Sequence, residues 1–144
     1  MDDKTAFMEL SALLTGVYTI VTDPEDKGRF EPIADEYKRR LSAVLRDPLQ
    51  EVLDAYKTLA SASPKPPIND ALLAKLRATQ EFKDNEFAAK QVVNIWCFSQ
   101  FKAEDKDVHF LDGGFYEEGL AWPLIKAHPI GFSDQPNDYW TRRP

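Results

Sequence analysis

From Phe7 to Phe101 the apolar residues recur at steps of three and four, the spacing of helices that bury an apolar face. Phe7, Leu10, Leu14, Val17 and Val21 predict a first helix over Thr5 to Val21, with Asp2 or Asp3 as its cap. Asp23-Pro24 interrupts it, because the residue before a proline is pushed out of the helical region, and Gly28 marks a turn. Phe30, Ile33, Ala34, Tyr37, Leu41, Val44 and Leu45 predict a second helix that tolerates Pro32 in its first turn.

Asp47-Pro48-Leu49-Gln50 has the order of an N-cap, a first-position proline and a capping-box residue. It opens a third helix with Leu49, Val52, Leu53, Tyr56 and Leu59 inward. Ser61 to Pro67 is a stiff interhelix connection, and Asn69 caps a fourth helix running to about Gln80 through Leu72, Leu73 and Leu76. Between Asn85 and Phe101, Phe87, Val92, Val93, Ile95, Trp96, Phe98 and Phe101 place apolar groups on more than one face. That pattern predicts a central helix packed on several sides; Val92-Val93 and Ile95 also suit a strand, but the length of the run and Ala88-Ala89-Lys90-Gln91 favour the helix.

Past Lys102 the periodicity stops. Glycines at 113, 114, 119 and 131 break it, and aromatic residues crowd the last third, which holds one short helix around Phe115 to Trp122 and an irregular, Pro-rich tail over about 123–144. The expected architecture is therefore all-α: a single-domain bundle of about five helices spanning 1–144. A length of 144 residues with 43% apolar and 29% charged side chains suits one core of this kind.

Charge narrows the function classes. A net charge of −6 opposes binding to nucleic-acid phosphates, and the densest basic run, Lys38-Arg39-Arg40, fans round a helix instead of forming a stripe. No apolar stretch approaches the roughly 20 residues that span a bilayer, so direct membrane insertion is not expected. Met1 to Lys4 carries no basic leader, which is the expectation for an export signal that was removed or never present.

Chemistry finds few groups to use. His109 and His128 are the natural bases, and no Gly-x-Ser-x-Gly elbow surrounds any serine, Ser11 included. Glu104, Asp105, Asp107 and His109 are close in sequence but match no established metal spacing. Glu117 and Glu118 are adjacent and diverge on a helix, while Gly113-Gly114 lacks a dinucleotide or phosphate-loop fingerprint. No catalytic, cofactor-binding or metal residue is assigned to this chain. Cys97, the lone cysteine, lies in an apolar run and suits a buried small side chain, the alternative being a disulfide to another chain.

What remains unusual is the aromatic and proline-rich end. Phe115, Tyr116, Trp122, Pro123, His128, Pro129, Phe132, Tyr139 and Trp140 either cover the chain's own core or dock on a partner, a role suited to aromatics and to stiffened segments that lose little entropy on ordering.

Phe7-Met8-Glu9-Leu10-Ser11-Ala12-Leu13-Leu14-Thr15-Gly16 resembles the opening motif, Phe-x-x-Leu-Ser-x-x-x-Thr-Gly, of the small subunits of flavin-dependent sorbitol, fructose and glucose dehydrogenases. Gln91-Val92-Val93-Asn94-Ile95-Trp96, Tyr116-Glu117-Glu118-Gly119-Leu120-Ala121-Trp122-Pro123, and Ala127-His128-Pro129-Ile130-Gly131 followed by Tyr139-Trp140 resemble later landmarks of that family in the same order. Between Pro24 and Glu86 only the helical character matches.

The resemblance implies a non-catalytic subunit that helps a glucose-methanol-choline-type catalytic chain to fold, mature and cross the inner membrane. The FAD is held by that partner, which oxidises a sugar or polyol, often with a multi-haem cytochrome c as acceptor. It also implies a periplasmic location within the complex, with a cytoplasmic one as the alternative. Two features depart from the family: the twin-arginine leader is absent, and the family's Trp-Tyr-type step is Trp96-Cys97. The competing expectations are a small hydrolase or metal-dependent enzyme using His109 or His128, and a free-standing helical adaptor.

Overall fold

A computed structural model describes residues 1–103, 108–110 and 120. Among these the chain forms seven helices and one two-stranded antiparallel hairpin, so the all-α expectation holds, with more helices than the periodicity suggested.

Helix α1, Asp3–Thr15, starts at Asp2, whose Oδ1 accepts the Thr5 N–H at 2.7 Å. It stops earlier than the expected Val21. Gly16 takes φ 75°, and its N–H donates to Ala12 O at 3.0 Å, the left-handed glycine stop of a helix. Thr15 helps to turn the chain: its hydroxyl donates to Ser11 O at 2.8 Å and accepts the Val17 N–H at 3.2 Å. Val17 and Val21, which extended the apolar period, pack half-buried against the core, Val21 within a short helix α2, Thr19–Thr22, that buries Ile20.

Helix α3, Pro24–Leu45, corrects two further expectations. Asp23 caps it by accepting the Glu25 and Asp26 N–H groups at 2.9 and 3.1 Å. Pro24 is therefore a helix start, Gly28 is helical rather than a turn, and Pro32 sits in the interior rather than the first turn. Pro32 offers no N–H to the carbonyl of Gly28, four residues earlier, and both residues are exposed, so the weak spot faces water. On the opposite face Phe30, Ala34, Tyr37, Leu41 and Leu45 are buried. Packing of those five side chains offsets the cost of about 3 kcal/mol that an interior proline brings.

One residue joins α3 to helix α4, Asp47–Ala60. Arg46, at φ 52° and ψ −124°, closes one helix by donating its N–H to Ser42 O at 3.1 Å. Its carbonyl opens the next by accepting the Gln50 N–H at 3.2 Å. The capping position is thus Arg46, and the expected cap Asp47 is already helical. Leu49, Val52, Leu53 and Tyr56 are buried as expected, and Leu59 is partly so.

Beyond the 61–69 connection, Asn69 Oδ1 accepts the Leu72 N–H at 3.0 Å and starts helix α5, Asp70–Arg77. The run expected to reach Gln80 in one helix is broken by Thr79, whose hydroxyl caps a short α6, Gln80–Asp84, through the Phe82 N–H at 3.3 Å.

Helix α7, Glu86–Phe98, packs on α1, α3 and α4, as expected of a central helix. Its buried Trp96 makes edge-to-face contacts with Tyr37 (centroids 4.9 Å, 84°) and Phe30 (5.7 Å, 75°). The helix ends before the expected Phe101, because Ser99 turns to φ 53° and the chain enters β1, Gln100–Lys102. That strand pairs with β2, Val108–Phe110, in the register Phe101 to His109. Strand character therefore appears just after the Val-Val and Ile run, which is itself helical.

Candidate partner interface

The first motif of the resemblance is occupied by structure. Phe7, Leu10 and Ser11 are buried in α1, the Ser11 hydroxyl donating to Phe7 O at 2.6 Å; Thr15 and Gly16 form the helix stop. The exception is Glu9, which lies at the edge of the core. Its carboxylate accepts the Tyr56 hydroxyl at 2.7 Å and the Lys65 ammonium at 2.6 Å, tying α1 to α4 and to the 61–69 connection. Burial, followed by that hydrogen bond, holds the Tyr56 phenol well above its ordinary range, so it stays protonated and donates.

The second motif lies on α7, directly against α1. Gln91 is 3% exposed, and its Oε1 accepts the Lys102 N–H at 2.7 Å and the Asn94 amide at 3.2 Å, while its Nε2 donates to Phe87 O at 3.3 Å. One amide side chain thereby fastens the hairpin to the helix.

The third motif contributes one described residue, and it meets the second. Leu120 is buried, and its N–H donates to Trp96 O at 2.9 Å. Three segments far apart in sequence thus converge on the α1–α7 pair.

On its outer side α7 presents Phe87 and Phe98, 38% and 50% exposed. Eleven residues of helix return to nearly the same angle, so the rings share a face about 16 Å apart along the axis. Beside Phe87 a cleft of about 90 Å³ opens between the end of α3 and the start of α7, lined by Val44, Leu45, Pro48 and Asn85 among others. Sequence reasoning placed both phenylalanines among the apolar groups packed around a central helix. The signal that they face outward was their shared angle, which differs from that of Val92, Ile95 and Trp96.

Of the expected partner-binding residues, Phe115, Tyr116, Trp122, Pro123, His128, Pro129, Phe132, Tyr139 and Trp140 all lie outside the described residues, as does the expected short helix apart from Leu120. Glu104, Asp105 and Asp107 do too, while His109 contributes its backbone to β2. Among the described residues no cluster of His, Cys, Asp or Glu is placed to hold a metal ion, and no helix is long and apolar enough to cross a membrane.

Cys97 forms no disulfide within the chain. It is half-buried, and that burial pushes its thiol upward, away from the thiolate form needed for exchange. The basic run on α3 is engaged by carboxylates. Arg39 and Arg40 both bind Glu36 at 2.6 Å, with Lys38 at 4.0 Å from Asp3. The Arg39 hydrogen bonds first, then that of Arg40, hold the Glu36 carboxyl down at about 2. Comparison of the chain with protein-family models, curated proteins and solved structures finds no match.

Proposed function

We propose that this chain is a non-catalytic small subunit of an FAD-dependent sugar or polyol dehydrogenase, binding a glucose-methanol-choline-type catalytic chain and assisting its folding, maturation and export to the periplasm. The observation that supports the reading is that the first two of the four resembling segments lie on packed helices, α1 against α7, and that Leu120, the one described residue of the third, donates to Trp96 in the second. Phe87 and Phe98 add exposed aromatic area of the kind that interfaces favour.

A subunit of this type acts by mass action. It binds the folded partner and not the unfolded one, which at a hundredfold excess over Kd stabilises the partner by about 2.7 kcal/mol. FAD is held by the partner, with a multi-haem cytochrome c as electron acceptor. The test is co-expression with such a flavoprotein, comparing the full chain, a chain lacking 115–144, and no chain. Soluble FAD-loaded dehydrogenase should appear with the full chain and fall on removing 115–144. Equal yields in all three would refute the role.

A further inference from the structure

A second surface, away from Phe87 and Phe98, combines an apolar floor with a basic mouth. Leu14 of α1, Phe82 of α6, and Ala89 and Val93 of α7 line a groove of about 140 Å³. An apolar cavity of roughly 150 Å³ accommodates a benzene ring, whereas drug-sized ligands need about 300 Å³ or more. The groove therefore fits one aromatic or branched aliphatic side chain.

Charge selects what surrounds that side chain. Arg77 lies on the groove wall, exposed and in no ion pair among the described residues. Lys90 stands on the same wall, and the Glu86 carboxylate meets it only at 3.9 Å, both side chains being largely in water. Two cations against one carboxylate give the mouth a net positive charge, on a chain whose total is −6.

We infer that this groove docks a segment of a partner protein that presents a single large apolar side chain flanked by carboxylates. The inference rests on the subunit reading, since it names where that partner engages this chain. The apolar group fills the floor between Leu14 and Val93, and the flanking carboxylates meet Arg77 and Lys90. Water leaves the floor while the charges stay at the rim, where they set orientation and selectivity more than affinity.

Two measurements test it separately. In the first, NMR follows the methyl groups of Leu14, Ala89 and Val93 while a blocked peptide with a Glu-Phe-Glu core is added to the full chain, and then its Lys-Phe-Lys counterpart. The acidic peptide should shift these methyls saturably and bind roughly tenfold more tightly than the basic one. Arg77→Glu should weaken it roughly tenfold, while Lys75→Glu, the same charge change on the same helix but off the groove, should not. No shift, equal binding of both peptides, or indifference to Arg77→Glu overturns the inference.

The second measurement is co-purification with the flavoprotein. Loss with Arg77→Glu but not Lys75→Glu supports the groove, and retention with both overturns it. Peptide binding without any co-purification of the unmodified chain leaves the groove standing and removes the dehydrogenase as its partner.

Discussion

Replacing Gln91 with Leu removes a buried amide whose side chain ties the β1 backbone to α7. The volume is nearly kept, so the cost lies in hydrogen bonds. The Lys102 N–H loses its acceptor at 2.7 Å, and the Asn94 amide loses one at 3.2 Å, while the Phe87 carbonyl loses a weaker partner at 3.3 Å. The freed groups lie at a part-buried edge, Lys102 itself being exposed, so water serves some of them and the combined loss stays towards the low end of the about 1–3 kcal/mol that a stranded buried donor costs, of which the buried apolar side chain returns part. The net expectation is a loss of about 1–2 kcal/mol, or roughly 3–8 °C in Tm for a chain of this size.

Hydrogen exchange shows where the loss falls. The Lys102 amide and its strand neighbours should lose protection, with the α1 and α4 amides falling only by the global amount. Asn94→Ala is the comparison: it removes a bond to the same Oε1 but leaves Lys102 satisfied, so it should cost less than about 1 kcal/mol. Equal destabilisation by the two substitutions, or an unchanged Lys102 amide in Gln91→Leu, would refute the fastening role.

Gly16→Ala should cost about 1 kcal/mol in urea unfolding. No atom crowds the new methyl, so the whole effect comes from holding an L residue at φ 75°, and a much larger loss would point to a packing role. At Arg46 the direction reverses: φ 52° with ψ −124° suits glycine, so Arg46→Gly should raise stability by up to about 1 kcal/mol in the same assay. Glu36 is depressed to about 2 in the folded chain from 4.5. Its contribution is therefore full above about pH 4.5 and is lost as pH falls towards 2. Glu36→Gln should flatten the dependence of the urea midpoint on pH within that window and remove a small, partly solvent-screened stabilisation above it.

The helices were legible where one residue type governs a decision. Asn69 and the Asp2 cap could be read because a short polar side chain before an apolar period has one main use, and Leu49, Val52, Leu53 and Tyr56 could be placed inward by spacing alone. Boundaries failed where two signals competed. Gly28 and Pro32 carry local penalties that the buried face of α3 overrides, and Thr79 divides one apolar run because its hydroxyl can cap. Arg46 and Ser99 adopt positive φ although neither is glycine, so no sequence rule marks them as turns. The hairpin was hidden for another reason: its strands are three residues each, too short for alternation to show. For the candidate interface, the residues expected at 115–140 lie outside the described residues, and the motif residues that are described serve the core, as a helix stop, an amide clasp and a buried indole whose partners are distant in the chain.

The bond from Leu120 to Trp96 also orders events during synthesis. A helix leaves its last carbonyls without internal donors, and at α7 the Trp96 carbonyl is served by an amide that the ribosome adds well after the helix is complete. Until Leu120 has emerged from the ribosome, that carbonyl lacks the Leu120 N–H. The C-terminal end of α7 therefore acquires its intramolecular closure late, when α1 to α6 are already made. Ribosome-stalled chains extended by a C-terminal linker so that Trp96 is outside the exit tunnel, with Leu120 still inside in one and already out in the other, should differ in protease resistance near Trp96, while the α1–α4 segment should resist equally in both.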